Sequence, residues 1–211
     1  PTGLSFSSDG TKMYVVGYAN DTVYQYTLST AWDVSTSSYA SKSFSVASQE
    51  TEPAGLSFSS DGTRMYVVGN ANNTVYQYSL STAWDVSTAS YSSISFSVTS
   101  QDTSPYGLSF SSDGTKMYVV GYANDTVYQY TLATAWDIST ASYASKSFSV
   151  AGQETSPIGL SFSSDGTKMY VVGDENYTVY QYTLSTVWDV NIGSYNSVTR
   201  VSVASQDTTP T

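Results

Sequence analysis

The chain has 211 residues, enough to bury a sizeable core, of which 40% are hydrophobic and only 11% charged, with a formal net charge of −10. That acidity, with only seven Lys plus Arg, argues against nucleic acid and against anionic membrane surfaces. There is no His and no Cys, which excludes disulfides, thiol nucleophiles, Ser–His–Asp triads and the usual zinc and copper sites.

The first predicted strand, residues 3–7, alternates Leu4 and Phe6 with Ser5 and Ser7. Ser8-Asp9-Gly10-Thr11 then reads as a tight turn: Asp accepts local backbone hydrogen bonds and Gly supplies positive φ. In the second strand, 12–18, Met13 and Val15 point one way and Tyr14, Val16 and Tyr18 the other, so neighbours should cover both faces. After the Ala19-Asn20-Asp21 turn comes the third strand, 22–28, rich in aromatic and β-branched residues. Residues 29–40 read as a long loop pinned by Trp32 and Tyr39, and 41–47 as a fourth strand with Lys42, Phe44 and Val46 alternating. Pro53 restricts Glu52 to extended geometry, which suits a change of direction between sheets.

The stretch opened by Gly3 returns at Gly55, Gly107 and Gly159, a fixed spacing of 52 residues. Four short antiparallel strands repeated at such a period predict an all-β fold, a β-propeller of four four-stranded blades in one domain. The blades are 1–52, 53–104, 105–156 and 157–211.

Within each repeat, SFSSDGTKMYVVGYANDTVYQYTLST resembles the YVTN-type β-propeller repeat of bacterial and archaeal surface proteins, and more loosely the lactonase-type propellers. The carrying features are Ser-Asp-Gly-Thr-Lys before an aromatic–Val strand and Asn-x-Thr-Val opening the next, about half of each repeat. The Trp-Asp connector and the Ser-Phe-Ser-Val strand depart from it. The resemblance implies a propeller fold and says little about chemistry.

A row of four blades leaves two apolar faces bare, so either the four close on themselves or two chains build an eight-bladed ring; we favour the two-fold dimer. Blade four differs, with Asp174 and Glu175 where the others have Tyr18, Asn70 or Tyr122 followed by Ala, and one inserted residue near Val198–Arg200, read as a bulge. Asp9, Asp61, Asp113 and Asp165 recur in four identical turns and read as turn caps rather than acid–base groups. Trp32, Trp84, Trp136 and Trp188 read as core closing under the long loop, with sugar stacking as the other possibility.

In propeller geometry the turns after strands two and four share one rim. The candidate ligand-binding residues are therefore Tyr18, Asn20, Gln49, Glu50, Asn70, Asn72, Gln101, Asp102, Tyr122, Asn124, Gln153, Glu154, Asp174 and Asn176. The expected function is a non-enzymatic interaction scaffold presenting a propeller face to a protein or glycan. We read it as an excerpt of a larger bacterial or phage surface protein, outside the cell or on a virion. A lectin with one shallow neutral-sugar site per blade is the alternative, and a glycoside hydrolase using paired carboxylates the third reading. No metal, cofactor, nucleic acid or membrane insertion is expected, since no run approaches a membrane span in apolar length.

Overall fold

The computed structural model describes residues 1–206, except the side chains of 192–198. Blade one is β1 (Gly3–Phe6), β2 (Lys12–Gly17), β3 (Thr22–Leu28) and β4 (Ser37–Ser45). Blade two is β5 (Pro53–Phe58), β6 (Arg64–Gly69), β7 (Thr74–Leu80) and β8 (Ala89–Ser97). Blade three is β9 (Pro105–Phe110), β10 (Lys116–Gly121), β11 (Thr126–Leu132) and β12 (Ala141–Ser149). Blade four is β13 (Pro157–Phe162), β14 (Lys168–Gly173), β15 (Thr178–Leu184) and β16 (Gly193–Ser202). Each blade is a separate antiparallel meander in chain order, so the predicted all-β, four-bladed propeller architecture is what the chain builds. The tail beyond residue 206 lies outside the described residues, as does part of the predicted insertion near Val198–Arg200.

Local chemistry explains the strand ends. In each first turn Gly takes a left-handed φ, +69° at Gly10. The preceding Asp9 accepts from Ser7 Oγ at 2.6 Å, Thr11 N at 3.0 Å and Thr11 Oγ1 at 2.8 Å. The long loop is shorter than predicted. Asp33 caps a 3-10 turn at Val34–Thr36 by accepting from Ser35 N, and β4 starts directly after it. Tyr39, expected in the loop, instead pairs with Tyr26 in the ladder. A bulge with Ser41 at φ 55° makes this possible, because the extra residues restore the alternation before Lys42. The same bulge recurs in blades two and three, and in blade four the register shifts by one residue more, between Tyr180 and Tyr182.

The core lies between blades. Tyr14, Val16, Val23 and Val46 of blade one pack on Leu56, Phe58, Met65, Val67, Tyr78, Leu80 and Val86 of blade two. The same arrangement joins blades two to three and three to four. Polar bonds fix each junction's register. Tyr14 Oη donates to Trp84 O at 2.8 Å, and Val86 N donates to Gln25 Oε1 at 3.1 Å. Tyr66 and Gln77 make the same bonds to Trp136 and Ile138, and Tyr118 and Gln129 to Trp188 and Val190. Two of the three junctions add an ion pair, Lys42–Asp85 and Lys146–Asp189.

The turn carboxylates set a pH limit on this fold. Hydrogen bonds from Ser7 and Thr11 pull Asp9 from 3.8 to about 2, and those from Ser163 and Thr167 do the same for Asp165. At Asp61 burial pushes up, but the bonds from Ser59 and Thr63 outweigh it; at Asp113 those from Ser111 and Thr115 prevail. Groups whose carboxyl is more acidic in the folded state stabilise it above the unfolded value and lose that contribution as pH falls through the folded one. The urea midpoint is therefore expected to hold above pH 4 and fall between about pH 4 and 2. With all four aspartates changed to asparagine, that part of the fall should vanish; an unchanged profile would remove the assignment.

Candidate functional site

Each blade runs down β1-type inner strands from one rim to the Asp-Gly turn, then returns along the second strand to the same rim. The residue before the inner-strand glycine and the residue after the second strand therefore stand together at the mouth of the central channel. The channel below is apolar, a cleft of about 330 Å³ lined by Gly3, Leu4, Leu56, Leu108 and Leu160 among others. Above it lies a polar hollow of about 220 Å³ formed by Thr2, Tyr18, Glu52, Pro53, Ala54, Asn70 and Tyr106. The two share Thr2 and Ala54 as walls.

Tyr106 organises this mouth. Its ring lies 5.7 Å from that of Tyr122. Burial, and then the neighbouring charges of Tyr122, Glu52, Asp174 and Tyr18, push its hydroxyl above the ordinary tyrosine range. Two carboxyl groups and three phenols thus share one neighbourhood at the top of an apolar channel. Backbone bonds anchor the acids: Glu52 N donates to Glu50 Oε1 at 2.9 Å, and Asp174 N to Ser156 O at 3.2 Å. Thr2 Oγ1 donates to Pro53 O at 2.7 Å, tying blade one to blade two at the rim.

The fourteen residues expected on the rim divide into two groups. Tyr18, Asn70, Tyr122 and Asp174 end the second strands, with Tyr18 and Asn70 lining the polar hollow and Tyr122 and Asp174 beside Tyr106. The others tie the loop after one blade to the turn of the next. Glu50, Asp102 and Glu154 are buried, and each takes backbone N–H groups across the junction. Glu50 accepts from Glu52 N and Ala71 N at 2.9 and 3.1 Å, and Asp102 from Ser104 N and Asn124 N at 2.7 and 3.1 Å. Glu154 accepts from Ser156 N, Glu175 N and Asn176 N at 3.0, 3.3 and 3.3 Å. Asn72, Asn124 and Asn176 donate through Nδ2 to the carbonyls of Gln49, Gln101 and Gln153 at 2.8 to 2.9 Å. Only Asn20, in blade one, turns to its own blade, donating to Tyr24 Oη at 3.3 Å.

Glu52, Tyr106, Thr2 and Ile158 were not among the expected site residues. A signal for them exists in the repeats themselves. The residue before the inner-strand glycine is Thr2, Ala54, Tyr106 and Ile158, different in all four blades whose first three strands are otherwise nearly the same. The last residue of each linker is Glu52, then Ser104, then Ser156. The repeats diverge where they meet at the mouth.

No curated protein matches the chain. Among solved structures, a functionally unknown protein from Desulfotomaculum acetoxidans superposes with TM-score 0.61 at 15% identity, covering 93% of this chain and 55% of that one. A candidate 6-phosphogluconolactonase from Bacteroides uniformis gives 0.59 at 12%, covering 96% and 55%. The periplasmic gluconolactonase PpgL of Pseudomonas aeruginosa gives 0.54 at 16%, covering 96% and 57%. These likenesses show the fold, and the chain spans about half the length of the structures it matches. A model of the lactonase seven-bladed β-propeller family matches residues 3–186. That match overturns the expectation of a non-enzymatic scaffold, and with it the lectin and glycoside hydrolase readings, because it places the chain in a family named for an enzymatic activity. By a match over most of its length, the chain belongs to the lactonase, seven-bladed β-propeller family.

Proposed function

We propose that the chain hydrolyses the cyclic ester of a neutral sugar lactone at the channel mouth. The observation that carries this reading is the convergence of Glu52, Asp174 and the phenols of Tyr18, Tyr106 and Tyr122 at a mouth where the four repeats differ from one another. Neither acid has a counterpart at its position in the other described blades. A carboxylate at the mouth takes a proton from water as that water attacks the lactone carbonyl. A phenol donates a hydrogen bond to the carbonyl oxygen as it gains charge, and the carboxyl passes the proton it took from water to the ring oxygen as the C–O bond breaks, which restores the carboxylate. The remaining hydroxyl and amide groups, Thr2 and Asn70, suit the polyol.

Charge narrows the substrate. The four cations of the inner hairpins, Lys12, Arg64, Lys116 and Lys168, begin the second strands at the opposite end from the mouth. A phosphorylated lactone would bring its anion to Glu52 and Asp174 with no cation among the described residues that line the polar hollow to offset them. A neutral aldonolactone is therefore the better fit. The YVTN-type resemblance of the repeat supports the same blade architecture and adds nothing to the chemistry.

The test is pH-stat hydrolysis of glucono-δ-lactone against its uncatalysed rate. Glu52→Gln combined with Asp174→Asn is expected to lower kcat/KM by about a hundredfold or more with the fold intact. A wild-type rate equal to background, or an unaffected double variant, would end the reading.

A further inference from the structure

The three junctions inside the chain are copies of one interface, and the chain carries both halves of a fourth. On the open face of blade one, Leu4, Trp32 and Val34 are 58%, 61% and 56% exposed, whereas the equivalent Leu56 and Val86 are 5% and 0% exposed. On the open face of blade four, Tyr170, Val172, Val179 and Gln181 are partly exposed, whereas Tyr14, Tyr66, Tyr118, Gln25, Gln77 and Gln129 at the same positions are buried. A Cβ built on Gly55 or Gly107 would meet the backbone of the next blade; one built on Gly159 meets only Val172 of its own. Blade four has thus not received a following blade.

We infer that a second copy of this chain seats its blade one on blade four, and the reverse, closing a two-fold, eight-bladed ring. The internal junctions supply the interface in atomic detail. Tyr170 Oη would donate to Trp32 O of the second copy, as Tyr118 Oη does to Trp188 O. Val34 N of the second copy would donate to Gln181 Oε1, as Val190 N does to Gln129 Oε1. Asn20, which bonds within its own blade, would reach the carbonyl of Gln206, the residue at the place of Gln153. The fourth junction would lack the ion pair, since Thr199 stands at the place of Lys42 opposite Asp33. Blades two and three already join without one, having Ile94 there.

Two is the copy number that the arc favours. The chain matches about half of longer propellers, 55% of the Bacteroides uniformis structure, so two arcs complete a circle. Rings of roughly four to eight blades are built from the same unit. Both contacts are head to tail, so the assembly must close or grow into a filament, and two half-circles close.

Light scattering of the 211-residue chain over a dilution series is expected to give twice 22.7 kDa. Val34→Asp, at a site exposed in the single chain, is expected to weaken the dimer about a hundredfold while leaving the monomer's circular dichroism unchanged. Tyr170→Phe should weaken it about tenfold through one lost hydrogen bond per contact. Thr199→Lys, which adds the missing partner for Asp33, should tighten it by a few-fold. A monomer mass at about 100 µM, a mass above two copies, or a dimer indifferent to Val34→Asp would each overturn the inference. None of these readouts depends on catalysis.

Discussion

Gly114→Ala is expected to lower the stability of the fold by about 3 to 5 kcal/mol, read from urea unfolding followed by tryptophan fluorescence. Two costs add. The residue sits at φ +71°, where a Cβ costs roughly 1–2 kcal/mol. The Cβ would also overlap the indole of Trp136, which lies flat on the turn. That indole cannot move freely. Trp136 N donates to Gly114 O at 2.9 Å, its ring is 5.4 Å from Phe110, and its own backbone is held at φ 64°. Displacing it gives up about 2–3 kcal/mol of apolar burial between blades two and three. Gly152→Ala is the control: it is exposed and no atom lies within 4 Å of the added methyl, so its effect should stay within about 0.5 kcal/mol. If the two substitutions cost the same, the tryptophan does not brace the turn.

The same pairing of glycine and tryptophan shows how much was legible in the sequence. Period, alternation and the Asp-Gly signal are local, and they placed the first three strands of blade one to within a residue; in the later blades the first strand starts two residues earlier, at Pro53, Pro105 and Pro157. The fourth strand was misplaced at its start because Ser37 to Ser41 shows no apolar alternation. Its pairing depends on a bulge whose Ser41 adopts a conformation that serine rarely prefers. Glu50, Asp102 and Glu154 look like exposed loop acids in the sequence. Their hydrogen-bond partners lie 21 and 22 residues away on the next blade, and only the assembled junction reveals that they are buried. The mouth was half visible. Tyr18, Asn70, Tyr122 and Asp174 follow strands whose direction is readable, whereas Glu52 and Tyr106 join them only once blades two and three are set beside each other.

Tyr118→Ala is expected to cost about 4 kcal/mol, and Tyr118→Phe about 1–2 kcal/mol. Tyr118 is fully buried, with its ring 4.3 Å from Phe162 and 6.3 Å from Trp188, so removing it opens a cavity across the blade three to four junction. The phenylalanine keeps the shape and removes only the donor, leaving Trp188 O without its 2.8 Å bond. In a repeat array each blade is held by its neighbours, so the alanine variant should release blade four before the rest and split the unfolding into two phases. Tyr170 has the same sequence surroundings and no following blade among the described residues. In a single arc, Tyr170→Ala should cost less than Tyr118→Ala, because its ring is already partly exposed. In a closed ring the two positions become equivalent, and their costs should converge as protein concentration rises. A Tyr170 cost that stays small at every concentration would mean that the open face of blade four remains open in solution.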